Sequence, residues 1–160
     1  MYHPLHTEEM RGVPVRFFES PPFRERGAPD HPWHAYHDLA QALQLSPYMT
    51  KHFLRALQGG YPGEIKTVST PDGIVTICPH HMAQGLMGAL ADVRKGLRRS
   101  EKHLVLPRQE RQIVERRYRQ GMIIALAKMT PAMSPEQRLH IVINAVRADR
   151  RLEPLTMETS

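Results

Sequence analysis

A chain of 160 residues, 41% apolar and 24% charged, has enough apolar material for a core, which excludes wholesale disorder. Its 22 Lys/Arg against 16 Asp/Glu leave a net charge of +6, which suits a polyanionic partner and excludes an acidic mimic of DNA. One cysteine, Cys78, excludes an internal disulfide framework and fits a reducing cytoplasm, where the chain is expected to reside.

The opening MYHPLHTEEMRG (1–12) is polar and has no apolar stretch of the signal-peptide kind, so it is expected to be loosely attached. The longest apolar run, MIIALA from Met122, is far short of the ~20 residues that span a bilayer, and no membrane partner is expected. In VPVRFFES, Val13, Val15 and Phe17 alternate with Pro14, Arg16 and Phe18, which predicts a strand. Four prolines and a glycine make Pro21–Pro32 a loop. Trp33–His37 reads as a second strand, paired antiparallel with the first.

The period then changes. Tyr36, Leu39, Ala40 and Leu43 lie at helical spacing, with Asp38 at the positive end of the helix. Ser46 is an N-cap, Pro47 fits the first turn, and Gly59 and Gly60 stop a second helix striped by Met49, Phe53, Leu54 and Leu57. Gln44 stands where a left-handed turn favours glycine, so the link between the two helices is expected to depart from the standard one. A hairpin follows over Glu64–Cys78, turning at PDG, and then a helix in which Met82, Leu86, Ala89, Leu90 and Val93 repeat.

From Arg94 the chain is basic: Arg94–Arg119 carries ten Lys/Arg against three Glu. A long helix is expected after Pro107, and another after Ser134, with Gln137 completing a capping box and Leu139, Val142, Ile143 and Val146 forming the stripe. These two would pair as a helical hairpin. Met122, Met129 and Met133 read as core or as a dimer interface.

Asp38–Leu57 has the spacing of a helix-turn-helix, with Ala40 or Ala42 small enough for the two helices to approach closely. Its second helix would present Tyr48, Thr50, Lys51, His52 and Arg55 to base edges in a major groove. The hairpin would act as a wing. Lys66, Arg94, Lys95, Arg98 and Arg99 are the expected phosphate contacts.

His31, His34 and His37 recur every third residue, and on a strand such steps alternate faces. A metal site joining Cys78 and His80 or His81 to His34 or His37 is conceivable. Without a proven ligand set, the histidines are read as polar or phosphate-facing surface, and no metal or cofactor is expected. Cys78 ends an apolar strand and reads as an inert buried thiol. The sequence has no P-loop, dinucleotide fingerprint, hydrolase elbow or clustered carboxylates, so an enzyme is not expected.

VPVRFF (13–18), PWHAYHDLAQALQL (32–45) and TVSTPDGIVTICPHHMAQGLM (67–87) together resemble the BRO-N domain of phage and viral antirepressor-type proteins. The resemblance covers about residues 13–93. It departs in the long proline-rich loop and in the link, where the family's leucine-glycine turn is LQL. The resemblance implies a nucleic-acid-binding module of mobile-element origin.

The expected fold is α+β: a small β-ribbon and hairpin with helices, winged-helix or BRO-N-like, followed by a C-terminal helical hairpin. The expected division is a DNA-binding unit over 13–93 and a basic helical region over 94–151 for oligomerisation or partner binding. The expected function is sequence-specific binding of double-stranded DNA by a homodimeric transcription regulator of a phage or mobile element. The alternative is a phage-type inhibitor, such as an anti-CRISPR, whose partner is a host defence or polymerase complex.

Overall fold

A computed structural model describes residues 1–149 and 151–156, with the side chains of Ala145, Val146, Ala148 and Asp149 left aside. The stripe position expected at Val146 is therefore outside the described side chains. The fold is α+β. Five antiparallel strands, β1 (His6–Met10), β2 (Val13–Phe18), β3 (Trp33–Ala35), β4 (Lys66–Thr70) and β5 (Gly73–Cys78), form one sheet in the order β1-β2-β3-β5-β4. The helices are α1 (Pro21–Arg26), α2 (Tyr36–Ala42), α3 (Pro47–Gly60), α4 (His80–Gly96), α5 (Arg108–Met129) and α6 (Pro135–Asp149), with a 3-10 helix over Arg99–Leu104. Among the described residues no helix is long and apolar enough to cross a membrane.

Both faces of the sheet are covered. On one, Met10, Val15, Phe17 and Cys78 join Leu39, Met82, Leu90, Val114 and Tyr118 from the helices. On the other, Phe18, Trp33, Ala35, Val68 and Ile77 form a smaller cluster, against which Tyr2 packs. The segment expected to be loose is therefore integral. His6–Met10 pairs along β2, the Tyr2 N–H donates to the Ser69 carbonyl at 2.8 Å, and Arg24 lies 4.0 Å over the Tyr2 ring. The loop expected over Pro21–Pro32 contains α1. Ser20 Oγ accepts from the Phe23 N–H at 3.2 Å, and Gly27, at φ 65, closes the other end. The second strand is shorter than expected, because Tyr36 already lies in α2.

Helix α5 is placed by its sequence. Arg111, Val114, Tyr118, Gly121, Met122, Ala125 and Met129 are buried at steps of three and four, and Val114, Tyr118, Met122 and Ala125 join the core cluster that holds Met10, Val15 and Phe17 of the sheet. Gly121 allows the close approach: a Cβ there would lie 2.7 Å from Phe17 Cε2 and 2.8 Å from Glu8 Cβ. Polar ties flank it, Arg11 Nε to Glu110 at 2.9 Å and Arg117 Nη1 to Glu8 at 3.5 Å. The region 94–151, expected as a separate unit, thus places Val105, Val114, Tyr118, Met122 and Ala125 in the same core cluster as residues of 13–93. Helix α6 begins with the expected capping box: Ser134 Oγ accepts from Gln137 N–H at 3.2 Å, and Gln137 Oε1 accepts from Ser134 N–H at 2.8 Å.

Candidate nucleic-acid interface

Helices α2 and α3 are joined by Leu43–Ser46. Gln44 adopts φ 54, the left-handed conformation that glycine would favour, so the link keeps the standard hand with a bulkier residue and the departure expected there is not found. The Leu45 N–H donates to the Ala40 carbonyl and the Gln44 N–H to the Gln41 carbonyl, both at 3.0 Å. These two bonds make a Schellman end to α2. Ser46 Oγ then accepts from the Met49 N–H at 3.1 Å, with Pro47 in the first turn of α3. Ala40 and Ala42 are both buried at this junction.

Two polar contacts fix the pair on the sheet. Arg16 of β2 grips Asp38 with Nε at 2.7 Å and Nη2 at 2.9 Å, a forked ion pair at the first turn of α2. The buried Tyr36 hydroxyl donates to the Thr50 carbonyl of α3 at 2.6 Å. Burial, with a smaller contribution from Cys78, pushes the Tyr36 hydroxyl up to about 12, so it keeps the proton it donates.

Met49, Phe53, Leu54 and Leu57 of α3 pack against the core. Tyr48, Lys51, His52 and Arg55 lie on the opposite side, all exposed, with Tyr48 at 76%. The Tyr48 and His52 rings stack at 6.0 Å and 13°. Thr50 is half-buried beside this stripe, and its carbonyl is held by Tyr36. No Asp or Glu occurs in α3.

The expected phosphate contacts are dispersed. Lys66 is exposed on the outer strand of the β4–β5 hairpin. Arg94 and Lys95 end α4, about 20–25 Å along that helix from β5, and Arg98 and Arg99 open the 3-10 segment. Lys95, Arg98 and Arg99 are exposed. Arg94 instead braces the chain around it, since its Nε donates to the Val105 carbonyl at 3.4 Å and its carbonyl accepts from Lys102 Nζ at 3.0 Å.

The histidines depart from the surface role expected for them. His37 is exposed, but His31 and His34 are buried. Tyr118 Oη lies 3.1 Å from His34 Nδ1 and 3.2 Å from His80 Nδ1, so one hydroxyl links two imidazoles. The hydroxyl has one proton to give, so one ring accepts it while the other donates its Nδ1–H. Burial, reinforced by His80 and His81, lowers His34 to about 3. Burial, reinforced by His31 and His81, does the same for His80. Both rings are therefore neutral near pH 7. Tyr118 is raised by the same burial. Cys78, pushed up to about 12 by burial, is a thiol. His34 and Tyr118 are 84 residues apart, which hid the arrangement from any local pattern. Among the described residues no three His, Cys, Asp or Glu side chains form a group that could hold a metal ion.

Beside His80 opens a cleft of about 690 Å³ between the start of α4, the second half of α5, and α6. A smaller hollow of about 290 Å³ shares His80, Gln84 and Arg119 with it.

No family model, curated protein or solved structure matches this chain.

Proposed function

We propose that the protein is a sequence-specific DNA-binding regulator that reads duplex DNA with α3. The outward stripe of α3 carries the proposal: Tyr48, Lys51, His52 and Arg55 stand exposed on a helix with no acidic residue, while its other side packs on the core. Two cations and two aromatic rings on one helical stripe have the dimensions and charge for a major groove. Strand β3 leads into α2 and α3, and the hairpin that follows pairs its inner strand β5 with β3, an arrangement that suits a wing beside a reading helix.

The experiment is selection of bound duplexes from a randomised pool, followed by fluorescence anisotropy on the enriched sequence at two salt concentrations. The Lys51→Ala/Arg55→Ala chain is run alongside. Binding should weaken with salt, and the double substitution should cost at least about ten-fold on the selected sequence, since each well-made base contact discriminates by about 1–3 kcal/mol. A pool that enriches nothing, or an enriched duplex bound equally by the double variant, would overturn the proposal.

A further inference from the structure

The cleft beside His80 has the composition of a ligand site independent of α3. One wall is apolar: Met122, Ile123 and Leu126 from α5 face Leu139 and Val142 from α6. Ile123 and Leu139 are 59% and 58% exposed, so large apolar side chains line the opening. A volume of about 690 Å³ fits a small organic molecule.

Three charged side chains line it: Arg119, Arg138 and Asp30. Each oxygen of Asp30 is held by the protein, Oδ1 accepting from the His31 N–H at 2.8 Å and Oδ2 from Trp33 Nε1 at 3.0 Å. Arg138 holds the end of α5, donating to the Thr130 carbonyl at 2.8 Å and to Thr130 Oγ1 at 3.1 Å. No carboxylate neutralises it among the described residues. The Arg119 side chain is exposed and makes no hydrogen bond or ion pair among the described residues. His80 adds a neutral ring whose Nδ1 is held by Tyr118. The cleft therefore has an apolar body and an excess of positive charge, with one guanidinium available.

We infer that this cleft binds a small amphipathic acid, a compact apolar body bearing one carboxylate, with the carboxylate received by Arg119 and the body held between α5 and α6. A cationic ligand would meet two arginines against a single aspartate, each of whose oxygens already accepts a hydrogen bond from the protein.

Isothermal titration of the full chain with three compounds of one shape tests this: 1-naphthoate, the neutral 1-naphthylmethanol, and the cationic 1-naphthylmethylamine. One naphthoate should bind per chain, about ten-fold or more tighter than the alcohol, and the amine should bind weakest. Arg119→Gln should bring naphthoate to the level of the alcohol and leave the alcohol unchanged. Ile123→Glu, at an exposed position, should abolish naphthoate binding. Both variants should keep the parent circular dichroism spectrum. Absence of naphthoate binding, equal binding of the three compounds, or an acid preference that survives Arg119→Gln would overturn the inference.

Discussion

Helices α3 and α5 are both basic, but they use their charge differently. Helix α5 has more arginines, yet Arg111 is buried with Nη1 on the Leu106 carbonyl at 2.6 Å, and Arg117 reaches Glu8. Helix α3 has only Lys51 and Arg55, but no protein group holds either among the described residues. It fully buries no residue, where α5 buries eight. A cation is available to a partner when the fold has not already given it one, so the density of positive charge along a sequence is a poor guide to a binding face. The basic run Arg94–Arg119 illustrates this, since Arg94, Arg111 and Arg117 all serve the fold.

Substitutions on the two helices should separate accordingly. The largest loss is expected at Tyr118→Ala, which removes a buried aromatic ring and the hydroxyl shared by His34 and His80. Urea unfolding should show a loss of about 3–5 kcal/mol, and Tyr118→Phe, which removes the hydroxyl alone, about 1–3 kcal/mol. A loss near zero for both would remove α5 from the centre of the core.

Acid should weaken the same region. His34 and His80 lie near 3 when folded and near 6.5 when unfolded, so between those values the unfolded chain binds more protons. Their stabilisation is complete above pH 6.5 and is lost as the pH falls towards 3, by up to about 1.4 kcal/mol per pH unit for each ring. Denaturation at pH 7, 6 and 5 measures the slope, and His34→Gln should reduce it. An unchanged slope in that variant would mean His34 is not held neutral.

Gly121→Ala is the next test. In an open helix this change gains about 1 kcal/mol. Here the added methyl meets Phe17 and Glu8, and thermal or urea unfolding should report a net loss of about 1–3 kcal/mol. A gain would show that α5 can retreat from β1 and β2. The smallest effect belongs to α3: Lys51→Ala/Arg55→Ala should leave stability within about 0.5 kcal/mol of the parent while it changes DNA binding. A larger loss would mean these side chains also serve the fold.

Most of the helical framework was legible because its signals are local. Ser46, Pro47 and the stripe from Met49 to Leu57 define α3, and Ser134 with Gln137 marks α6. Strand β1 was not legible as a strand because a glutamate occupies an inward position. His6, Glu8 and Met10 alternate correctly, but Glu8 is buried only because His6 and Arg117 reach it at 2.6 and 3.5 Å. Helix α1 carried its signals, Ser20 before the prolines and Gly27 after, and the proline content concealed them. The exposed stripe of α3 could be read from spacing alone. Burial of the histidines could not, since His34 meets Tyr118 and His80 only once α5 crosses the sheet.

The pairing of β1 with α5 also sets an order of events in time. Arg11 and Glu110 are separated by 99 positions, and Phe17 waits still longer for Gly121. At about 5–20 residues per second, a growing chain holds the β1–β2 hairpin for on the order of 5–20 s before its cover is synthesised. Through that interval α2 and β3, made soon after β2, already have their places on it, but the part of the face that α5 closes, around Met10 and Phe17, stays uncovered beside the open edge of β1, a surface on which nascent chains adhere to one another. A transcript or ribosome stopped ahead of α5 would therefore yield a substrate for chaperones instead of a shorter working protein.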